Sequence, residues 1–345
     1  MCYTNKSVVK CSVGDILASD VYSADGRNLV LAKEAVLNEY IINRLMDMDI
    51  NTVRIYKYEE KECCSECEGF QQKYRKIAFS TRNIFQDMVS GKTVDYDRLS
   101  DIAEQILGSL QESDHIIHCI TEIHKKDEYT YYHSINVAFY SMLIAKWLKF
   151  SDKDIKKAIL SGLLHDIGKI RIPSAILNKK GRLTREEFEI VKSHPVHGYE
   201  IVDGIELLDR DIKSAILHHH ERMDGSGYPF RYSAKNINFY ARIVAIADVF
   251  DAMTSERVYK GRNTPFEVFQ MFLTGGAVMF DIRILNVFMK GMTNYLLGSR
   301  VQLNSGETGN IVYIPYQCLI CPIVKAADRY IDLSQDSNIK IIKML

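Results

Sequence analysis

His165 and Asp166 stand side by side in the apolar helical run Leu163 to Lys169, LLHDIGK. Further histidines and aspartates follow at intervals that suggest one shared metal site. Adjacent residues on a helix point about 100° apart, so both can serve one cluster only if it lies over the helix edge. Lys169 comes four residues after His165 and three after Asp166, which predicts a fixed positive charge on the same side. Imidazole, carboxylate and ammonium together predict metal-dependent hydrolysis of a phosphate ester.

The candidate ligands are His133, His165, Asp166, His194, His219, His220 and Asp248. Mixed nitrogen and oxygen donors suit iron, manganese or zinc, whereas an all-oxygen set would suit magnesium or calcium. Seven ligands exceed one tetrahedral site. With Asp166 bridging, they satisfy two divalent ions roughly 3.5 to 4 Å apart, with positions left for water and substrate. Some of these residues also read in a plainer way. His133, in YYHSINVAFY, taken singly reads as a buried helix histidine bonded to a carbonyl, and His194 before Pro195 suits an ordinary turn. His218, His219 and His220 cannot all face one point. The latter two are taken as ligands because Glu221 and a glycine loop follow them, leaving His218 a structural or supporting role. His197 is read as a core or surface residue, and His115, His118 and His124 as solvated. Asp251, three residues after Asp248, is placed to orient a ligand.

The loop HHERMDGSGYP spans His219 to Pro229. Its Gly225 and Gly227 permit close backbone approach and positive φ, which can aim amide hydrogens at an anion. Tyr228 adds an aromatic face and a hydroxyl, and Pro229 stiffens the exit. Further on, ADVFDAMTSERVYK ends with Arg257 and Lys260, three apart on one predicted helical face, a spacing that suits a phosphate clamp.

These residues need a helical frame, and the chain is long enough for one with modules attached. Its 345 residues allow roughly two to three domains. Residues 1–62 read as a small α/β module: a hairpin from Val21 to Leu31 around Asp25-Gly26, a helix from Asn38 to Met48 and a strand from Thr52 to Tyr56. Residues 63–124 read as a connector of two helices parted by Ser90-Gly91-Lys92, and 125–296 as the helical core. Ser151 with Asp154 and Thr184 with Glu187 mark helix starts. Residues 297–345 change period and read as a small β-barrel-like domain, with strands at Gly309 to Ile314 and Tyr330 to Leu333. The fold class is therefore multidomain and mainly α. Lys plus Arg equals Asp plus Glu at 44 each, so no overall field recruits DNA, RNA or an acidic membrane. The N-terminus lacks the apolar core of a signal peptide, and no apolar run approaches the ~20 residues of a membrane span. A cytoplasmic protein is expected. The eight cysteines form no regular framework, and Cys63, Cys64 and Cys67 are read as incidental thiols.

The three motifs HDIGK, HHERMDGSGYP and IADVFDAMTSERVYK, with RIPSAILNKKGRLTREEFEIVKSHPVHGYEIV between the first two, closely resemble the HD-GYP family of HD-domain metal phosphohydrolases. The resemblance covers roughly Asp127 to Lys260. It implies an all-α HD-type core, two or three metal ions, often iron or manganese, and hydrolysis of cyclic di-GMP. It implies metal ligation by the seven residues named above and a lysine role for Lys169. The GYP loop falls on Gly227, Tyr228 and Pro229, and the basic pair on Arg257 and Lys260. Val258 departs from the usual proline between that pair. A third ion needs an acid upstream of His133; Glu128 is nearest, at a poor helical offset. The expected mechanism is attack by a metal-bridging hydroxide to give pGpG, with GMP after a second cut. Asp166 and Lys169 stabilise the reacting centre, and Arg257 and Lys260 hold the other phosphate. The connector is expected to regulate or dimerise the core. A sensor that binds without cleaving, and an enzyme acting on another nucleotide such as cyclic GMP-AMP, are the alternatives.

Overall fold

The structure, a computed structural model, describes all residues except 1–2, 13, 24–27, 34, 38, 57–64, 110–119, 121–128, 180, 256–262, 328 and 337. Asp25-Gly26, Cys63, Cys64, His115, His118, His124, Glu128, Arg257, Val258 and Lys260 thus lie outside the described residues. The chain divides into two compact units, residues 1–62 with 292–345, and residues 63–291. The two terminal segments, read separately from the sequence, thus form one unit, and the connector helices share the other unit with the core.

In the first unit, β1 (Tyr3–Ser7) pairs antiparallel with β4 (Thr52–Tyr56), and β2 (Val21–Tyr22) with β3 (Leu29–Leu31). Helix α1 (Glu39–Asp47) lies between β3 and β4 in the chain. Leu17, Leu37, Leu45, Val53 and Ile55 belong to one buried apolar cluster there. The C-terminal strands are β5 (Arg300–Leu303), β6 (Thr308–Tyr313), β7 (Ile323–Ala326), β8 (Arg329–Asp332) and β9 (Ile341–Met344). They form one antiparallel sheet in the order β8-β7-β6-β5-β9. The described strands make an open sheet with β8 and β9 at its edges, where the sequence reading had a barrel-like domain. Cys318 and Cys321, a C-x-x-C pair, lie between β6 and β7. Gly14, at φ +94°, packs against Tyr330; a Cβ there would fall 2.3 Å from the ring.

The second unit is helical: α2 (Ser65–Val89), α3 (Tyr96–Gly108), α4 (Tyr129–Trp147), α5 (Asp152–Leu164), α6 (Ser174–Leu177), α7 (Arg185–Val191), α8 (His194–Asp203), α9 (Arg210–His218), α10 (Phe239–Thr254) and α11 (Pro265–Met271). It ends within α12 (Ile282–Leu296). Helix α4 is largely apolar and central: Phe139, Met142, Leu143 and Ile144 have no exposed surface. Helices α5 and α10 pack on it. Gly162 permits the α4–α5 approach, since a Cβ would lie 2.8 Å from the Val137 carbonyl oxygen. The predicted caps are present: Ser151 accepts from the Asp154 amide, and Thr184 and Glu187 form a reciprocal capping box.

One expectation fails here. Helix α5 stops at Leu164, with His165 as its C-cap, and Asp166 opens a 3₁₀ turn over Ile167–Arg171. His165, Asp166 and Lys169 therefore do not share one helix face. Gly168 gives the reason: a Cβ there would fall 1.9 Å from the His194 carbonyl oxygen and 2.4 Å from the Gly198 nitrogen. The turn lies directly against α8. Among the described residues no helix is long and apolar enough to cross a membrane.

Candidate metal centre

Helices and the turns at their ends deliver all seven predicted ligands to one buried place. Asp166, His194, His219 and His220 form one group and His133, His165 and Asp248 another; within each group, one donor atom per residue lies within 4.8 Å of the others. Asp166 faces both groups with different oxygens. Its Oδ2 is 3.3 Å from His165 Nε2 and 3.7 Å from His133 Nε2. Its Oδ1 is 3.2 Å from His194 Nε2 and 3.9 Å from His219 Nε2. Asp248 Oδ1 lies 3.1 Å from His133 Nε2, and its Oδ2 lies 4.0 Å from His220 Nδ1.

Three of the imidazoles are fixed by the end of their own or the preceding helix. Nδ1 of His165, His194 and His219 lies 2.7 Å from the carbonyl oxygen three residues earlier: Gly162, Val191 and Ile216 respectively. These carbonyls sit in the last turns of α5, α7 and α9, where the helix itself offers no amide partner. A carbonyl can only accept, so each Nδ1 donates and each Nε2 keeps its lone pair toward Asp166. His133 sits within α4 and is held differently, with Nδ1 2.7 Å from Asp251 Oδ2.

The electrostatics suit cations. Burial opposes ionisation of Asp166 and Asp248, yet both carboxyls are held well below the usual range, Asp166 by His165 and Lys169 and Asp248 chiefly by His133. Burial pushes His219 and His220 well below the ordinary imidazole value, which keeps their lone pairs available. Burial works the same way on His133, but Asp248 and Asp251 outweigh it and raise its pKa well above the ordinary value. His165 Nε2 and Asp166 Oδ1 are buried without a hydrogen-bond partner among the described residues, a costly state that a metal ion would relieve. The donor set and its braces therefore fit metal ions.

Lys169 forms an ion pair with Asp166 Oδ2 and remains 30% exposed, so its ammonium lies between the carboxylate and solvent. The glycine loop is built from within. Glu221, buried, accepts from the Phe230 amide at 2.7 Å and the Tyr232 amide at 2.9 Å. The amides of Gly225, Ser226 and Tyr228 bond to the Arg222 carbonyl, Asp224 and the His220 carbonyl. These amides are engaged inside the loop rather than aimed at an anion, contrary to the sequence reading. Gly225 has the expected positive φ, +80°; Gly227 serves close approach instead, since a Cβ would lie 2.5 Å from the His220 carbonyl oxygen. The result presents Tyr228 stacked on His220, with ring centroids 4.6 Å apart, and Pro229 follows on a cis peptide. Burial, then the charges of Asp248 and Asp166, raise the Tyr228 phenol well above its ordinary value. His218 turns away to the rings of Tyr232 and Phe230.

The roles of three residues were not read from the sequence. Glu221, named there only as a neighbour of the paired histidines, braces the loop, and its signal was a carboxylate between those histidines and the glycine loop. Asn136 and Tyr74 continue the His133 brace and carry no local signal.

Residues 118–284 match the family model of the HD domain. The chain carries an HD domain. A protein named cyclic di-GMP phosphodiesterase from Pseudomonas aeruginosa is 36% identical over 244 residues, covering 70% of this chain and 58% of that protein. One named 3′3′-cGAMP-specific phosphodiesterase 3, from Vibrio cholerae, is 33% identical over 174 residues, covering 47% of this chain and 38% of that one. The chain thus spans less than two thirds of these curated relatives. A solved structure of an HDG"Y"P protein from Bdellovibrio bacteriovorus aligns with a TM-score of 0.55 at 16% identity, covering 83% of this chain and 98% of that one, a likeness of fold. All seven convergent histidines and aspartates fall inside the HD domain match.

Proposed function

We propose that this chain is a metal-dependent phosphodiesterase that hydrolyses cyclic di-GMP to pGpG and, by a second cut, to GMP. The observation that carries the reading is the placement of Asp166, with one oxygen toward each group of ligand residues inside an HD domain. Two divalent ions, iron or manganese, would be held by His133, His165, Asp166 and Asp248 and by Asp166, His194, His219 and His220. Bound ions in such a cluster supply Lewis acidity toward a phosphoryl oxygen and activate water near neutral pH. Lys169 neutralises charge developing on the reacting phosphate. Tyr228 seats a guanine base against its ring, with Gly227 and Pro229 setting the position of that ring. Arg257 and Lys260 take the second phosphate by charge-assisted hydrogen bonds. A third ion through Glu128 belongs to the same proposal as its outermost element.

The flanking segments are assigned regulatory work. Residues 63–124 would pair two copies as a homodimer; α2 leaves Phe79 and Val89 exposed, in keeping with that. Residues 1–62 and 297–345 would act as modules on the core, and the setting would be cytoplasmic. A second substrate is favoured by one observation, the relative named for 3′3′-cGAMP.

Metal analysis of the purified chain, coupled to chromatography of products from cyclic di-GMP and from 3′3′-cGAMP, tests the reading. The expected result is two divalent ions per chain and conversion of cyclic di-GMP to linear products. Faster turnover of 3′3′-cGAMP would move the assignment to that substrate. Recovery of intact nucleotide from a fully metallated chain would leave a sensor.

A further inference from the structure

The brace on His133 does not end at Asp251. Asp251 Oδ2 faces His133 Nδ1, while its Oδ1 accepts from Asn136 Nδ2 at 2.9 Å. Asn136 Oδ1 in turn accepts from the Tyr74 hydroxyl at 2.6 Å. The four side chains lie on three helices, α2, α4 and α10, and all are buried, with Tyr74 at 1%, His133 at 4%, Asn136 at 0% and Asp251 at 1% exposure. Tyr74 lies well before residue 118, where the HD domain match begins.

The order of donors and acceptors gives the chain a direction. Asn136 offers a carbonyl on one side and an amino group on the other, and the carboxylate of Asp251 can only accept. A hydroxyl donating to Asn136 Oδ1 holds the amide with its amino group toward Asp251. A flipped amide would set two acceptors against each other. Asp251, aimed in this way, accepts a hydrogen bond from His133 Nδ1–H and leaves Nε2 for the cluster. The Tyr74 ring has little freedom to place its hydroxyl elsewhere: it stacks on Tyr132 and Phe139 at 6.0 and 5.9 Å between centroids. The position of α2 thereby fixes the position of that hydroxyl.

We propose that Tyr74 is a positioning residue of the metal centre, acting through Asn136 and Asp251 on His133, so that α2 sets the metal affinity of the group formed by His133, His165 and Asp248. This rests on the metallo-phosphodiesterase reading above. It gives the segment read as a connector a direct hand in the chemistry, and it makes the two groups of ligands unequal. A change that removes or displaces the Tyr74 hydroxyl should reach the His133 group and spare the group of His194, His219 and His220.

Titration of the metal-stripped full chain with Mn²⁺, following both binding constants by calorimetry, tests the proposal. Outer partners of metal-bound histidines typically govern affinity by roughly 10- to 100-fold, and that range is expected for Asp251→Asn. Tyr74→Phe, which keeps the ring and removes only the hydroxyl, is expected to weaken one Mn²⁺ site by about 3- to 10-fold, at or below the low end of that range because it acts one link further out. Its effect should vanish when Asp251 is already Asn. Phe85→Leu, which thins the packing of α2 elsewhere, should lower the melting temperature and leave both constants unchanged. Equal weakening of both sites by Tyr74→Phe, unchanged constants, or full additivity with Asp251→Asn would overturn the proposal. A wild-type chain that takes up no Mn²⁺ would instead overturn the metal reading on which it stands.

Discussion

Two ways of holding a histidine meet in this centre. His165, His194 and His219 each lean on a carbonyl three residues back, at the end of their own or the preceding helix. His133 leans on Asp251, 118 positions away, and through it on Asn136 and Tyr74. The local arrangement solves two problems at once, since it occupies a helix-end carbonyl and selects the tautomer. It needs nothing from the rest of the chain. Within α4 the backbone carbonyls already serve the helix, so His133 requires a side-chain acceptor, and a carboxylate is the stronger one. In the group of His194, His219 and His220 the first two are therefore anchored by local backbone, while the group containing His133 also depends on how three helices pack. Stability favours the first arrangement and adjustability the second.

The largest expected effect removes what the two groups share. Asp166→Ala should abolish hydrolysis and lower metal content at both groups, because the carboxylate that approaches imidazoles of both groups within 3.3 Å is gone. Metal analysis with a turnover assay checks this. A purified variant with full occupancy and wild-type turnover would dissolve the comparison, since the two groups would then not be joined. Next in size is a change that should touch neither group. Alanine at both Arg257 and Lys260 is expected to raise the KM for cyclic di-GMP by roughly ten- to more than a hundredfold per lost contact, with metal stoichiometry intact. The loss should be smaller on bis(p-nitrophenyl) phosphate, which has no second phosphate. Equal losses on both esters would tie the pair to the reacting centre instead.

Gly168→Ala probes the locally anchored side. A new Cβ would fall 1.9 Å from the His194 carbonyl oxygen, so α8 must move and carry His194 with it. Overpacking of this kind costs about 1–3 kcal/mol, readable in urea unfolding. The accompanying loss of Mn²⁺ affinity should fall on the site with His194, the reverse of the pattern expected from Asp251→Asn. If both variants weaken the same site, the division into two groups is wrong.

What the sequence disclosed follows the same division. The seven ligand residues stood out because each lies in a short string with its own spacing, and all seven come within reach of Asp166 or Asp248. The strand Thr52–Tyr56 and both capping pairs were legible because they depend on near neighbours. The end of α5 was not: the apolar pattern runs on through Ile167, and only the approach of α8 to Gly168 forces the turn. Strands β7 and β9 were not read from the sequence; each is defined by its pairing, β7 with β6 and β8 and β9 with β5. Asn136 and Tyr74 looked like ordinary members of buried helices, since the bond that gives them meaning joins residues 62 positions apart. The glycine loop was legible as a loop, but its internal bonding depends on Glu221 reaching Phe230 and Tyr232 across the turn.

The smallest expected effect comes from the first histidine of the run. His218 closes α9 and lies against Tyr232 and Phe230, with ring centroids 5.3 and 6.3 Å away, on the side that supports the glycine loop. Burial lowers its pKa, so near neutral pH it packs as an uncharged ring. His218→Ala should therefore cost about 1 kcal/mol of stability through lost packing and leave the metal content unchanged. His219→Ala should lower metal content sharply, because His219 Nε2 lies 3.2 Å from His194 Nε2 and 3.9 Å from Asp166 Oδ1. His220→Ala should do likewise and also remove the ring on which Tyr228 stacks, adding a rise in KM. Metal content measured across the three variants ranks them. Were His218→Ala the most damaging, the Nδ1 brace of His219 on the Ile216 carbonyl would not mark the ligand, and the rule that separates locally held from remotely held histidines would fail at the residue where it is most sharply drawn.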